Sequence, residues 1–207
     1  MQEDGNDSVA GAETPRALLA RRLAQAIGKI SRTDESFRRE ETVLRDCFDE
    51  GRLITTVPSG LPDFTGSEHE VWSDGVTVTK ATLPGTYGRL WGGRRFATPS
   101  EYLERIRLGQ VAFSFPWQLI GLAMEVGRIR LVTRQPFYLG NRPGHVEIDE
   151  FMTSLGFSFN RHRHGDHWFR PEDCLLVFDA EPGNFVKIPG GLAPIDLILQ
   201  TVTGPRN

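Results

Sequence analysis

The chain has 207 residues, a formal net charge of −3 and 39% apolar residues, which is enough for one ordinary domain or a small two-lobed one with a real core. No run of about 18 apolar residues occurs, which argues against a membrane span, and the acidic balance argues against nonspecific nucleic-acid binding. The polar, acidic start MQEDGNDSVAGAETP lacks the basic and apolar regions of a secretory signal, and two cysteines, Cys47 and Cys174, make no disulfide framework, so a cytoplasmic protein is expected.

Residues 1–13 read as a disordered tail. Thr14-Pro15 then forms a helix start, with proline at the first helical position. The segment PRALLARRLAQAIGKI carries Leu18, Leu19, Leu23, Ala26, Ile27 and Ile30 on one face. A second helix is expected from Asp34 to about Glu50, with Phe37, Val43, Leu44, Cys47 and Phe48 inward. Together they predict a helical hairpin over 14–50, which by itself indicates no chemistry.

From residue 52 the pattern changes. LITTV is extended and SGLPDFTGS is a turn-rich loop. EHEVW-SDG-VTVTK reads as a hairpin with Asp74-Gly75 as its turn and alternation through Val76–Lys80. A glycine-rich loop, LPGTYGRLWGGRRFA, follows. TPSEYLERIRLGQVAF is a helix capped by Thr98, opened by Pro99 and closed into a capping box by Glu101. Residues 118–137 predict a second hairpin about Gly127-Arg128, with long buried strands. HVEIDEFMTSLGF contains a short helix ending at Gly156. FSFNRHRHGDHWF, CLLVFDA, NFVKI and APIDLIL are short strands joined by turns. This order of elements predicts an α+β fold rather than a doubly wound parallel sheet.

Three of the five histidines cluster in RHRHGDHWF, residues 161–169. His162, His164, Asp166 and His167 match the spacing His-x-His-x-Asp-His of zinc hydrolases. Such a site needs further ligands downstream, and no histidine follows His167. His-Gly-Asp also opens catalytic loops of small-molecule kinases, but the fifth residue after Asp166 is Pro171, which has no side-chain oxygen for Mg²⁺. The favoured reading is a solvated basic turn between two strands.

The required spacing occurs later. Asp179 is followed five residues on by Asn184, with Pro182 and Gly183 between them, and twelve residues further an apolar strand delivers Asp196. Strand, Asp-x₄-Asn, strand, turn, strand, Asp is the arrangement that phosphoryl transfer needs: one carboxylate orients the substrate hydroxyl, while an amide and a second carboxylate hold Mg²⁺. A phosphate-binding cation is supplied by Lys80 at the end of VTVTK. In a chain with 21 arginines and three lysines, a lysine there is informative. Its expected partner is a helix glutamate. Glu101 is engaged in the capping box, so Glu104 is the choice.

With these residues assembled, the chain resembles the protein-kinase-like domains of polyvalent proteins of phages and conjugative elements and of small stand-alone bacterial proteins. The resemblance covers about residues 60–200 and rests on Gly66-x-Glu68-His69-x-Val71, Lys80, TPSEYLERIRL, RLVTRQPF, HWFRP, FDAEPGN and APIDL. It implies an atypical minimal protein-kinase-like two-lobed fold, with ATP and Mg²⁺ between an N-lobe-like part (51–137) and a truncated C-lobe-like part (138–207). It also implies a hinge at Gln135-Pro136-Phe137 beside the adenine, and Gly66, Glu68 and His69 over the phosphates.

The chain departs from ordinary protein kinases in three ways. Val177-Phe178 stand where His-Arg precedes the catalytic Asp. Leu197-Ile198 follow the metal Asp in place of Phe-Gly. Eleven residues follow Asp196, so no activation segment or helical platform for a peptide is expected. The expected function is an ATP/Mg²⁺-dependent kinase with Asp179, Lys80 and Glu104 as catalytic residues and Asn184 and Asp196 as metal ligands. The alternative is a pseudokinase or nucleotide-binding interaction module, and transfer of AMP instead of phosphate uses similar groups. The expected partners are a nucleotide and a protein docking on the helices of residues 14–50.

Overall fold

The protein is described by a computed structural model covering residues 13–27, 34–90, 96–161 and 165–202. Among these residues it is a mixed α+β fold with four α-helices and antiparallel sheets. Helix α1 (Pro15–Ile27) starts where Thr14 Oγ1 accepts the Ala17 N–H at 3.2 Å. Glu13, assigned to the tail from sequence, pairs with Arg21 at 2.9 Å, while residues 1–12 lie outside the described residues. The expected continuation of this helix to Ile30 lies outside them too. α2 (Asp34–Asp49) packs against α1, and Leu19, Leu23, Leu44 and Cys47 are buried.

The first sheet contains β1 (Phe64–Thr65), β2 (His69–Ser73), β3 (Thr77–Thr82), β4 (Gln118–Glu125) and β5 (Arg128–Pro136). Its order is β1-β2-β3-β5-β4. The expected β2–β3 hairpin forms, with Val71 paired to Lys80, but its central residues are Gly75-Val76, one later than read from sequence, because Asp74 N–H donates to the Thr77 carbonyl and Asp74 Oδ1 accepts from the N–H groups of Val76 (2.8 Å) and Thr77 (2.6 Å). Side chains alternate across a strand. Ala81 therefore packs with Trp72, Ala123 and Val132 on one face, and Lys80 emerges on the other.

Between β3 and β4 the chain forms α3 (Pro99–Phe113). The expected capping box is present, with Thr98 as N-cap, Glu101 reaching back and Pro99 in the first turn. Glu40 of α2 also accepts from Ser100 N–H (2.8 Å) and Oγ–H (3.0 Å), tying α2 to the start of α3. Leu103 and Ile106 enter a core with Leu19, Leu44, Tyr87, Leu122 and Leu131, whereas Leu108 and Ala112 enter a second core with Ile148, Met152, Trp168, Val177 and Leu197. α3 is thus a wall shared by both cores, with Arg107 and Val111 exposed on its outer face.

Two further expectations shift. The β4–β5 turn is Val126-Gly127, both at positive φ (48° and 71°), one residue earlier than read from sequence. Pairing of Glu125 with Arg128 leaves those two as the central residues of a two-residue turn, which requires left-handed backbone. LITTV forms no strand of the sheet; Ile54 makes an isolated bridge to Leu122. This segment lies against a bulge at Gly121, where a Cβ would fall 2.3 Å from the Leu53 carbonyl oxygen.

The remaining chain forms α4 (His145–Ser154), then β6 (Ser158–Asn160), β7 (His167–Arg170), β8 (Leu175–Phe178), β9 (Phe185–Ile188), β10 (Gly191–Pro194) and β11 (Ile198–Thr201). β11-β8-β7-β6 make a second antiparallel sheet, and β9-β10 a separate hairpin. No helix among the described residues is long and apolar enough to cross a membrane. Because the Thr98 cap serves the helix that both cores share, Thr98→Ala should lower stability to chemical denaturation by about 1 kcal/mol, measured by urea unfolding.

Candidate active site

The pairing of Phe185 with Pro194 in the β9–β10 hairpin brings the residue before one strand beside the residues after the other. Ile195 N–H accordingly donates to the Asn184 carbonyl at 2.7 Å. Asn184 Nδ2 donates to the Asp179 carbonyl at 2.7 Å, across a 3₁₀ turn at Pro182–Asn184. From the first sheet, Lys80 Nζ donates to the Ile195 carbonyl at 2.7 Å and lies 3.7 Å from Asp196 Oδ2. Lys80, Asn184 and Asp179 therefore lie on one path of hydrogen bonds to backbone carbonyls, and Asp196, 116 residues beyond Lys80, is the lysine's ion-pair partner. Asp179 is exposed and left-handed (φ 60°) at the end of β8. Burial raises its pKa, and the nearby charges of Asp196 and Glu181 add to this against the Asn184 hydrogen bond. Such a shift suits a proton acceptor.

Glu104 does not join them. It forms an ion pair with Arg107 at 2.7 Å on the open face of α3, where both side chains are more than 40% exposed. The reason is helical phase. With Thr98 fixed as the cap, the side of α3 carrying Tyr102, Arg105 and Ile106 turns inward, and position 104 lies about 100° away from 105. Arg105 therefore occupies the inward position at which a glutamate was expected. Its Nε donates to the Leu197 carbonyl (2.6 Å), one terminal nitrogen to Glu68 (2.7 Å) and the other to Asp196 Oδ1 (2.8 Å). Lys80 is paired with Asp196 rather than with a helix acid.

The residues assigned to nucleotide contact divide. Glu68, in the connection between β1 and β2, faces the site through Arg105 and also accepts the Arg89 backbone N–H at 2.8 Å. His69 is buried and shares a 2.9 Å hydrogen bond with Tyr102 Oη. Burial drives its pKa down to about 3, so the ring is neutral at ordinary pH. Gly66 closes the β1–β2 turn through its N–H to the His69 carbonyl. Gln135 is buried and lines the site with Thr133, whereas Phe137 is 40% exposed just past β5. Burial raises the Asp196 pKa, but Lys80 and Arg105 outweigh it and hold the carboxyl at about 2. Burial depresses Lys80, with Asp196 opposing.

Ligand atoms of Glu68, His69 and Asp196 gather within 4.8 Å, yet Arg105 and Lys80 already balance the two carboxylates. Asn184, the other expected metal ligand, turns its amide nitrogen to the Asp179 carbonyl. A nucleoside does not fit the space as it stands. The cavity bounded by His69, Lys80, Arg105, Trp117, Gln135 and Asp196 has a volume of about 10 Å³, against about 300–1,000 Å³ for small-molecule sites. A larger groove of about 530 Å³ opens beside Asp179, between α4 and Trp168.

Of the histidine segment, His162 and His164 lie outside the described residues. β6 and β7 pair on either side of it, and His167 packs on Phe178 with ring centroids 5.4 Å apart. Sequence reasoning missed Arg105, Tyr102 and Trp117. The available signal was an arginine on the apolar side of a helix whose cap fixed its phase. No family model, curated protein or solved structure matches the chain.

Two measurements check this site. Gly88 has φ 81°, and a Cβ there would meet Arg105 Nη1, Glu68 Oε2 and Tyr102 Cδ2, each at 3.3 Å. Gly88→Ala should therefore cost at least about 1 kcal/mol in urea unfolding. Asp196 has its folded pKa depressed from 3.8 to about 2. Its contribution is present above about pH 4 and lost as pH falls through 2. Asp196→Asn should show a smaller acid-induced drop in melting temperature over that interval than the wild type.

Proposed function

We propose that the protein is an atypical minimal kinase of two-lobed, protein-kinase-like build that transfers the γ-phosphoryl group of ATP to a hydroxyl acceptor. The observation that carries this reading is the continuous path Lys80–Ile195–Asn184–Asp179, with Asp196 at 3.7 Å from the lysine. Further support comes from the position of Lys80 on the third strand of an antiparallel sheet that is followed by a helix, which is where protein kinases carry their phosphate-binding lysine.

In this reading the acceptor hydroxyl approaches Asp179 through the 530 Å³ groove. Asp179 orients the hydroxyl and takes its proton as the oxygen attacks the γ-phosphorus. The bond to the β-phosphate oxygen breaks, leaving ADP and a phosphate ester. Lys80 binds the α- and β-phosphates, and burial beside Asp196 holds its ammonium in one place. Asp196 and Asn184 would hold Mg²⁺, which when bound supplies neutralisation of phosphate charge. Positioning and fixed charge carry the rate enhancement. The raised pKa of Asp179 makes it a better proton acceptor than a free aspartate.

A second reading, a nucleotide-binding or interaction module without transfer, is favoured by the 10 Å³ cavity around Lys80. The two separate by assay. ATP with Mg²⁺ should raise the melting temperature of the wild type and of Asp179→Asn, and labelled phosphate should be transferred by the wild type alone. Asp179→Asn should lower transfer by at least about 10²-fold, as expected for loss of a general base. Wild-type transfer in that variant would remove Asp179 from its role, and stabilisation without transfer in either protein would favour the module.

A further inference from the structure

We propose that Arg105 is a second polyphosphate-binding cation of this site and that Glu68 occupies it as an internal stand-in for phosphate, released when the polyphosphate binds. The identification of the polyphosphate as that of a nucleotide rests on the kinase reading above.

Arg105 is 6% exposed, yet it sits among apolar helix positions Tyr102, Leu103, Ile106 and Leu108. A buried guanidinium is tolerated when its donors are matched, and here they are matched by the Leu197 carbonyl, Glu68 and Asp196. The two carboxylates differ in how they are held. Asp196 follows a hairpin pinned by the Ile195–Asn184 hydrogen bond and is also paired with Lys80. Glu68 lies in the connection after the two-residue strand β1, and its carboxylate reaches Arg105 and the Arg89 N–H. A side-chain rotation of Glu68 frees both donors without unmaking a sheet.

The charges make the consequence definite. Arg105 and Lys80 are balanced by Glu68 and Asp196. With Glu68 withdrawn, the enclosed site carries one net positive charge and a guanidinium fork suited to phosphate oxygens. Trp117, which lines the same cavity, keeps a buried indole N–H without an acceptor among the described residues. Arg105 itself lines the 10 Å³ cavity, and Glu68 meets it beside Gly88. Glu68 is then a competitor for the ligand, whereas a residue that contacted the ligand directly would help it bind.

The experiment measures binding of inorganic tripolyphosphate and of ATP with Mg²⁺ to the full chain by titration calorimetry, with folding verified by circular dichroism. Arg105→Met alone leaves the Glu68 carboxylate without its counter-charge and endangers the fold, so it is combined with Glu68→Gln. Glu68→Gln should tighten tripolyphosphate binding by about tenfold or more, and adding Arg105→Met should reverse that gain, each on the scale of one charge-assisted hydrogen bond. A folded Glu68→Gln protein that binds tripolyphosphate no better than wild type overturns the proposal, as does a double variant that binds as well as Glu68→Gln. Absence of tripolyphosphate binding in every folded variant overturns it too. If tripolyphosphate follows the expected order while ATP binds none of the proteins, the nucleotide reading fails and the polyphosphate site stands.

Discussion

The buried guanidinium of Arg105 is the constraint on which the site depends. It joins α3 to the β1–β2 connection through Glu68 and to the segment after β10 through Asp196 and Leu197. Removing a charge from water costs several kcal/mol unless its partners are well placed. The three segments must therefore take up positions relative to one another that satisfy every donor at once. Gly88 is part of the same solution, because a side chain there would press on Arg105, Glu68 and Tyr102 together.

Around this network the two hydrophobic cores meet along α3, so the polar site lies in the seam between them. This location explains its electrostatics. Lys80 and His69 are depressed by burial, and Asp196 stays ionised because two cations flank it. Asp179, at the outer end of the path, has lost less water and faces a wide groove instead of the narrow cavity. The site thus has a tight, charge-balanced end and an open one.

The departures from the sequence reading share one cause, which is geometry fixed by neighbours at a distance. Glu104 was preferred to Glu101 because the capping box engages Glu101, and that box is present; the same cap, however, rotates Glu104 outward to Arg107 and Arg105 inward. The turn between β4 and β5 moved by one residue because the ladder, through Glu125 and Arg128, decides which residues are central. LITTV has strand composition, yet a bulge at Gly121 limits its contact with the sheet to an isolated bridge.

The amino-acid sequence by itself determined the α+β class, the β2–β3 hairpin with Asp74 beside its turn, the capped helix beginning at Pro99 and the order Lys80, Asp179, Asn184, Asp196. These follow from local rules: alternation, capping and turn chemistry act over a few residues and are written in adjacent side chains. Tertiary structure alone decided that Arg105 takes the inward helix position expected for a glutamate, that Lys80 is paired with Asp196, and that the cavity between them is small. Those outcomes depend on which charges share a desolvated volume. That is a property of segments brought together from residues 68, 80, 105 and 196, and no spacing along the chain encodes it.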